Sequence, residues 1–365
     1  MSTLDALERC ARETREYVGA RVTRATSPPS ALAFAMAHIA ANVPLLTANA
    51  TTHWRAHDAW RANEGVMEDF GGPDAVVEVN ATPNGRGDAV HRVEKDGWAR
   101  LGTGTRCETT GRGGETRDAF DAFVEPAKRE MTIKELFESL EDGAGTGTAW
   151  YLSGQNDNLR SSEALARAGA RNDFDVPFAR KAFASVGKAG RDGLGEAVNL
   201  WIGNDASQTS YHQDFYENIY TVVRGTKVFS LRPPCDAFDM RATEAVRGVF
   251  ETDDALSWRI KLRPSFEPRV VWSAVDLDPV TGEPIFGDDD ALRYRRPRPE
   301  PCFDVEVRAG ETLYIPAMWF HRVRQKGITI AVNSWFDMHF GDRYATRPLW
   351  EPSRRSMSSS SVTLA

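Results

Sequence analysis

Two histidines and one aspartate are the residues of this chain whose types and spacing suggest chemistry. His212 and Asp214 form an HxD triplet directly before a strand-like segment, and residues two apart in extended backbone point to the same side. His321 follows an apolar stretch at the start of another strand-like segment. Two imidazoles and one carboxylate leave three positions of a metal open, which is typical of non-haem Fe(II) oxygenases. The three residues therefore predict an iron site that accepts a bidentate co-substrate and then dioxygen.

The same residues also have a structural interpretation. An HxD triplet occurs by chance in many proteins, and a buried His212 bonded to Asp214 would simply satisfy the core. His321 beside aromatic residues could be a core or surface histidine. The metal is favoured because both histidines lie in the most strand-like apolar blocks of the chain. The remaining five histidines are interpreted as structural: His38, His53, His57, His91 and His339.

Lys227 is a candidate for holding an anionic co-substrate. It opens the second of two apolar segments, Ile219–Val223 and Lys227–Leu231, which are separated by Arg224-Gly225-Thr226 and predict a hairpin. A lysine inside a barrel strand is costly unless it is paired, and the distal carboxylate of 2-oxoglutarate would pair with it. On the residues alone, an exposed lysine beside the turn is the simpler interpretation.

Short apolar segments between Gly and Pro turns, after a helical N-terminal part, predict the elements that position these residues. Helices are expected over residues 3–25 and Met131–Leu140, the latter with a capping box of Thr132 and Glu135. The expected strands are Asn42–Leu46, Val76–Val79, Ala149–Leu152, Ala197–Ile202, Ile219–Val223, Lys227–Leu231, Phe303–Val307, Thr312–Ile315 and Ile328–Trp335. This order predicts a mainly β barrel with helices packed outside it.

Three segments lack such patterns. Residues 84–118 are rich in Gly, Arg and Thr and are expected to form a long surface loop or hairpin. Residues 236–300 are expected to be irregular, and the polar residues 353–365 to be a disordered tail.

Composition narrows the class of protein. The net charge of -7 and pI of about 5.6 argue against a nucleic-acid partner. The sequence contains no run of about 18 apolar residues, so no membrane-spanning helix is expected. The N-terminus lacks the pattern of a secretory signal. The four cysteines are scattered, so neither a zinc cluster nor a disulfide framework is expected. A cytoplasmic location fits best, and the nucleus is a second expected compartment.

Two blocks of the sequence closely resemble the JmjC hydroxylases. The first comprises NLWIG and TSYHQDFYENIY (199–203 and 209–220), followed by GTK at 225–227 and Pro233-Pro234. The second is AGETLYIPAMWFH (309–321), followed by AVNSWFDM (331–338). The similarity runs from about Pro29 to about Pro348. It is weaker in 84–118 and 240–300, where this chain is longer than the family pattern.

The resemblance implies a double-stranded β-helix, the cupin or jelly-roll barrel, with flanking helices that are mostly N-terminal. It divides the chain into an N-terminal helix (1–28), a JmjC oxygenase domain (29–348) and the tail (353–365). Within the domain, residues 29–190 would form a part of helices and strands, and 191–345 the barrel core.

The resemblance also assigns site residues. His212, Asp214 and His321 would be the iron ligands, and Lys227 would pair with the distal carboxylate of 2-oxoglutarate. Hydroxyl groups of Thr209 and Tyr151 would add hydrogen bonds to that carboxylate. Asn218 and Asn333 would lie near the iron-bound end of the co-substrate or the oxygen site, and Tyr220 would line the pocket. For the two asparagines, a structural role in satisfying backbone groups at strand ends remains open.

The implied reaction consumes 2-oxoglutarate and O2 and yields succinate, CO2 and a hydroxylated substrate. The relatives that the two blocks resemble best hydroxylate a lysine side chain of developmentally regulated GTP-binding proteins, which implies a protein substrate of that kind. An acidic pocket would suit a lysine, and Glu217 and Asp337 are candidates for it. Relatives also suggest a homodimer.

Two rival functions stay open. Demethylation of histone or other lysine or arginine side chains uses the same iron chemistry, and a JmjC-linked peptidase activity is related to it. A degenerate cupin that only binds a partner is a further alternative, against which the complete triad and Lys227 argue.

Overall fold

A computed structural model describes most of the chain. The residues described are 3–18, 22–101, 106–111, 118–143, 147–155, 157–188, 190, 193–238, 240, 242–253, 257–273, 275 and 303–340. The predicted disordered tail at 353–365 lies outside these residues.

Nineteen strands are found in the described residues. In chain order they are β1 (Thr23–Ala25), β2 (Leu45–Ala48), β3 (Val76–Thr82), β4 (Arg86–Gly87), β5 (Ala89–Val93), β6 (Trp98–Arg100), β7 (Arg106–Thr110), β8 (Phe120–Glu125), β9 (Ala127–Thr132), β10 (Ala149–Tyr151), β11 (Ala197–Gly203), β12 (Gln208–His212), β13 (Tyr216–Arg232), β14 (Ala242–Thr252), β15 (Trp258–Leu262), β16 (Val270–Ser273), β17 (Phe303–Arg308), β18 (Glu311–Ile315) and β19 (Phe320–Asp337).

A nine-stranded sheet forms the barrel, in the order β1-β2-β18-β13-β19-β12-β4, with β11 on β19 and β17 on β13. Its two faces are both apolar. Trp201, Tyr220 and Phe229 pack inside, whereas Leu200 and Ile219 pack outside against the helices. This alternation is what the period of two along a strand produces. The expected cupin barrel is confirmed.

The barrel sheet is not confined to residues 191–345. β1, β2 and β4 all precede that range, and β2 pairs with β18 from Glu311 to Tyr314. The helix expected over 3–25 ends at Val18, and Thr23–Ala25 instead pair in parallel with Leu45–Thr47. Pairing with β2 gives these three residues backbone partners that a helix end would leave unsatisfied.

The expected hairpin around Gly225 is wrong. Tyr216–Arg232 is one continuous strand, and β19 is antiparallel to it on both sides of Gly225, from Tyr220↔Asn333 to Phe229↔Val323. Gly225 has φ +77°, and the register shifts between Val222 and Thr226. The backbone therefore bulges at Gly225 and continues forward, where a hairpin turn would have reversed it.

The α-helices of the described residues all precede the main run of barrel strands. They are α1 (Thr3–Val18), α2 (Ala31–Phe34), α3 (Ala56–Ala59), α4 (Asn63–Phe70), α5 (Ile133–Glu141), α6 (Asn158–Ser161), α7 (Glu163–Arg171) and α8 (Pro177–Ser185), with a π-helical segment at Ala35–Ala40 and a 3-10 helix at Pro234–Phe238. The capping box of α5 is confirmed, because Thr132 and Glu135 exchange both capping hydrogen bonds. None of these helices has the length and apolar character needed to cross a membrane.

A second sheet, which we call the accessory sheet, contains seven strands in the order β15-β7-β6-β5-β8-β14-β16. It has an apolar core of its own, which includes Phe120, Phe250 and Ile260. Residues 84–118, expected to be a long surface loop or hairpin, supply β5, β6 and β7, which pair antiparallel in chain order, so the hairpin alternative agrees with the structure and the loop does not. Residues 236–300, expected to be irregular, supply β14, β15 and β16, so that expectation is wrong for the described residues. The two segments pair with each other where β7 lies parallel to β15, and β8 links them further because it lies parallel to β14. A smaller sheet, β10-β3-β9, lies outside both.

Candidate metal centre

The HxD triplet and His321 come together at one end of the barrel. His212 ends β12, His321 is the second residue of β19, and these two residues are directly opposite in the ladder. Asp214 Oδ1 lies 3.9 Å from His212 Nε2, and Asp214 Oδ2 lies 3.4 Å from His321 Nε2. One ligand atom from each residue falls within 4.8 Å of the other two. The three side chains can therefore share one metal ion.

Both imidazole rings are oriented by backbone carbonyl groups. The Nδ1 atom of His212 lies 2.9 Å from the carbonyl oxygen of Ser210, and Nδ1 of His321 lies 3.1 Å from that of Trp319. A carbonyl can only accept, so each Nδ1 carries the proton and donates it. Each Nε2 atom is then unprotonated and faces the centre of the triad, as a metal ligand requires.

The surroundings favour the ligand form of each group. Burial, together with the neighbouring His321, lowers the pKa of His212 to about 4. Burial by itself would raise the pKa of the Asp214 carboxyl, but the two imidazoles outweigh it and hold that pKa below its ordinary value. A neutral imidazole and an ionised carboxylate at neutral pH are the forms that bind a divalent cation.

Lys227 is fully buried inside the barrel. Its ammonium donates a hydrogen bond of 2.8 Å to the hydroxyl of Tyr151. Aromatic rings of Tyr151, Trp201 and Tyr220 lie 5.1 to 5.9 Å from Nζ. Burial lowers the pKa of Lys227 to about 7, and no carboxylate of the described residues lies within ion-pair distance of it. The interpretation as an exposed turn lysine is wrong, because the Gly225 bulge keeps Lys227 within a barrel strand.

The hydroxyl groups predicted to accompany Lys227 surround it. Tyr151 hydrogen-bonds to the side chains of Thr209 and Tyr220 as well as to Lys227, and burial raises its pKa. Thr209 lies on β12 three residues before His212. This cluster of hydroxyl groups around one ammonium is suited to the carboxylate of a small acid.

Asn218 and Asn333 form one hydrogen-bonded chain with Trp201. The indole Nε1 donates to Asn333 Oδ1 at 2.7 Å, and Asn333 Nδ2 donates to Asn218 Oδ1 at 3.0 Å. Because an indole can only donate, this chain fixes both amide orientations and leaves the Asn218 amide nitrogen as the free donor group. Both asparagines lie inside strands rather than at strand ends, and both line the cavity that contains the triad.

A single cavity connects these groups. Its wall contains every predicted site residue except Lys227, whose ammonium is bonded to Tyr151 in that wall. Gln155 and Trp201 also line it and were not predicted. The roles of the nine residues remain predictions, although the structure brings all nine together.

Trp272 is a further residue that the sequence did not reveal. Its ring is parallel to that of His212, at 5.6 Å between centroids, and its Nε1 donates to Ser210 Oγ at 2.9 Å. It belongs to β16 of the accessory sheet, in the segment expected to be irregular. No motif near Trp272 could have placed it beside residue 212.

The acidic pocket expected from Glu217 and Asp337 is not found. Glu217 is buried and accepts hydrogen bonds from the Tyr314 hydroxyl (2.7 Å) and the Ala317 amide (3.0 Å). Asp337 is exposed at the end of β19. Neither carboxylate lines the cavity. Glu217 points to the opposite face of β13 from its neighbour Asn218, and Asp337 lies beyond Trp335 at the exposed end of β19.

The donor set and the buried lysine together fit Fe(II) and 2-oxoglutarate. Two imidazoles and one carboxylate leave open positions on an iron. A buried ammonium without a carboxylate partner among the described residues is costly, and the distal carboxylate of the co-substrate would offset that cost. The residues present therefore match the pair.

Comparison with known proteins agrees with this geometry. The cupin-like domain family matches residues 31–342. The chain is 32% identical to the lysine-specific demethylase JMJ32 of Arabidopsis thaliana, over 93% of this chain and 88% of that protein. It is 30% identical to the human bifunctional peptidase and (3S)-lysyl hydroxylase JMJD7, over 93% and 94%. It is also 28% identical to JmjC domain-containing protein E of Dictyostelium discoideum, over 93% and 91%.

The chain belongs to the cupin-like JmjC family, whose members are Fe(II)- and 2-oxoglutarate-dependent oxygenases. The resemblance seen in the two sequence blocks is thereby confirmed. The relatives are named for two different reactions on lysine, so family membership alone does not decide the substrate.

Proposed function

We propose that this protein is a Fe(II)- and 2-oxoglutarate-dependent protein hydroxylase that hydroxylates a carbon of a lysine side chain. Lys227 carries the co-substrate part of the proposal. It is a fully buried ammonium, and among the described residues it donates a hydrogen bond to the hydroxyl of Tyr151, which lies in the wall of the triad cavity. An organic anion that reaches from the metal to Lys227 would fill open coordination positions at one end of the cavity and pair with the ammonium at the other.

His212, Asp214 and His321 would hold the iron, and Lys227, Tyr151 and Thr209 would hold the distal carboxylate of 2-oxoglutarate. When bound, the iron and co-substrate supply the oxidising power: 2-oxoglutarate and O2 become succinate and CO2, and one oxygen atom enters a substrate C–H bond. The protein contributes position, tautomer and exclusion of water.

The side chains of the cavity perform three tasks. The carbonyl groups of Ser210 and Trp319 hold the protons on Nδ1 of the two histidines, so Nε2 stays available. The chain from Trp201 through Asn333 orients the Asn218 amide as a donor toward the cavity. Aromatic walls formed by Trp201, Tyr220 and Phe229 keep the interior apolar, which strengthens each of these polar contacts.

The choice of a lysine is supported by similarity to JMJD7 along nearly the whole chain, since that protein is named a (3S)-lysyl hydroxylase. We propose that the substrate is a developmentally regulated GTP-binding protein. We also propose that the reaction takes place in the cytoplasm or the nucleus. Intact-mass measurement of such a GTPase with enzyme, Fe(II) and 2-oxoglutarate should show a gain of one oxygen atom. If succinate forms but the GTPase mass stays unchanged, the substrate is wrong and the oxygenase class stands.

A second candidate is lysine demethylation, favoured by the similarity to JMJ32, which is named a lysine-specific demethylase. The triad suits both reactions because oxidation of an N-methyl group also begins at a C–H bond. Methylated histone peptides incubated with the enzyme would release formaldehyde and lose 14 mass units per methyl group. Fragments of shorter length in the same spectra would instead identify a peptidase.

A non-catalytic cupin would bind its partner without iron chemistry. Metal analysis of the purified protein, with His212→Ala as the control, separates this alternative from an oxygenase. We also propose a homodimer, on the basis of relatives. Sedimentation analysis at several concentrations would test it.

A further inference from the structure

Asp88 lies where a wide surface cleft narrows toward the metal cavity. The cleft runs between the accessory sheet and the small β10-β3-β9 sheet, and Asp88, Gln155 and Trp272 are in its wall. A smaller cavity shares Asp88 and Gln155 with this cleft, and shares Tyr151 and Thr209 with the metal cavity. Asp88 therefore lies where the cleft adjoins the smaller cavity that leads toward the metal cavity.

Hydrogen bonds fix the position of Asp88 relative to a metal ligand. Ser210 Oγ donates to the Asp88 carbonyl oxygen at 2.6 Å and accepts from Trp272 Nε1 at 2.9 Å. The carbonyl group of the same Ser210 receives the Nδ1 proton of His212. The backbone of Asp88 and the ring of His212 are thus both bonded to Ser210, which holds the Asp88 backbone close to this metal-ligand candidate.

The carboxylate of Asp88 is half-buried and has no cationic partner among the described residues. The neighbouring Glu125 carboxylate is already paired, at 2.7 Å with Arg247 and at 3.9 Å with Arg263. Burial and the charge of Glu125 raise the pKa of Asp88 to about 6. A carboxylate in such surroundings is stabilised by an incoming cation.

We propose that Asp88 binds the ammonium of the substrate lysine as that side chain enters the metal cavity past Trp272. The proposal rests on the proposed function and names the residue that selects a cationic side chain. Glu217 cannot serve, because it is engaged by Tyr314 and Ala317 away from the cavity. Asp88 is thus the carboxylate that both lines the entrance and lacks a cation among the described residues.

The test uses the full-length enzyme and two peptide mixtures. Both mixtures are randomised at the flanking positions; one has a central lysine and the other a central norleucine, which has a similar apolar stem but no charge. Succinate formation from 2-oxoglutarate is measured with each mixture for the wild type, Asp88→Asn, Asp88→Glu and Glu108→Gln. Glu108 is an exposed carboxylate of the same accessory sheet and gives a matched change of charge.

We expect the wild type and Glu108→Gln to turn over faster with the lysine mixture than with norleucine. Asp88→Asn should raise the KM for the lysine mixture about tenfold, as expected for loss of a charge-assisted hydrogen bond, and should abolish the preference over norleucine. Asp88→Glu should retain part of that preference. A wild type without a preference for lysine, or an Asp88→Asn variant that keeps it, would overturn the proposal.

Thermal stabilisation by Mn(II) with 2-oxoglutarate is measured in parallel for every variant. A wild type that shows no such stabilisation refutes the proposed function itself, which is a different outcome from a loss of lysine preference. If Asp88→Asn loses the stabilisation, its metal site is misassembled, and the Asp88→Glu variant then tests the role of Asp88 instead. In that case, Asp88→Glu without lysine preference but with normal stabilisation overturns the role of Asp88.

Discussion

The two ends of the cavity owe their properties to single residues in different surroundings. At the metal end, backbone carbonyl groups and burial keep His212 neutral. At the other end, burial among aromatic rings makes the charged form of Lys227 costly. The metal end is therefore ready for a cation at neutral pH, whereas Lys227 gains most of its charge when an anion arrives.

Co-substrate binding should consequently take up a proton at pH 8. With a pKa of about 7, Lys227 is mostly neutral at pH 8 and mostly charged at pH 6. A bound carboxylate raises the pKa of Lys227, so binding should draw close to one proton at pH 8 and almost none at pH 6. Above pH 7 the affinity should fall as the pH rises. Titration calorimetry of the Mn(II)-loaded protein, in buffers of different ionisation enthalpy, measures this uptake.

Oxalate provides the control for that measurement, because it chelates a metal but has no distal carboxylate to reach Lys227. Its binding should take up no proton at either pH. His212, with a pKa of about 4, is neutral at both pH values and does not contribute. Equal uptake with oxalate and 2-oxoglutarate would exclude Lys227 as the source.

At the residue scale, the sequence predicted the triad because HxD and a strand-start histidine are local patterns. The setting of Lys227 required the family resemblance, since on its own the lysine suggested an exposed turn. The sequence did not reveal Trp272 and Asp88 as site residues. Both lie near the triad through hydrogen bonds with Ser210, which is far from both in sequence. No local pattern carries such contacts.

Among the elements, β13 shows most clearly how a local signal misleads. Two apolar runs around Arg224-Gly225-Thr226 predict a hairpin, yet the strand continues and pairs with β19 throughout. The left-handed backbone of Gly225 serves equally for a turn or a bulge. Only the long partner strand decides between them, and that strand lies about a hundred residues later.

Gly225→Ala should be strongly destabilising. A Cβ atom at this position would lie 2.5 Å from the Ile328 carbonyl oxygen, in addition to the strain of φ +77°. We expect a loss of about 3 kcal/mol or more in the free energy of unfolding. Gly310→Ala is the control, because Gly310 has φ +86° but nothing within 4 Å of the added atom. It should cost only about 1 kcal/mol. Urea denaturation of both variants measures the difference, and equal losses would contradict the bulge argument.

Trp272 joins the accessory sheet to the metal centre, so its removal should weaken metal binding. Trp272→Ala loses the ring stacked on His212 and the bond to Ser210, and we expect the Mn(II) affinity to fall about tenfold or more. Trp272→Phe, which keeps a ring, should lie between the wild type and Trp272→Ala. Calorimetry measures the dissociation constants.

Trp258→Ala is the matched variant for Trp272. Trp258 packs on the core of the accessory sheet beside Phe250 and away from the triad. It should lower stability but leave the Mn(II) affinity unchanged. A similar loss of affinity in both variants would mean that the whole sheet, rather than the Trp272 contact, controls the metal centre.

For the whole molecule, the sequence predicted the barrel but not the accessory sheet. Barrel strands are apolar on both faces and are recognisable one at a time. The accessory strands come from segments rich in Gly, Arg and charged residues, whose pattern is weak until β8 and β14 are placed side by side. Their pairing depends on contacts across the chain, which one-dimensional patterns do not report.

Ligand binding should stabilise the whole fold in two separable steps. Mn(II) at a hundredfold excess over its Kd should add about 2.7 kcal/mol, and 2-oxoglutarate should add a further increment of similar size under the same condition. His212→Ala should lose both increments, whereas Lys227→Met should keep the first and lose the second. Chemical denaturation with each ligand combination measures them. Retention of the 2-oxoglutarate increment in Lys227→Met would contradict the assignment of that lysine.

The pairing of β8 with β14 also determines when parts of the protein can fold during synthesis. Ala122 needs Val246 as its neighbour, and His212 faces His321 in the ladder. As the chain leaves the ribosome from its N-terminus, the first half of each pair must wait for the second. Contacts between distant residues form slowly because the chain loses conformational entropy in closing the loop before the contacts stabilise it. Neither the accessory sheet nor the triad of His212, Asp214 and His321 can therefore be complete before nearly all of the described chain has been made.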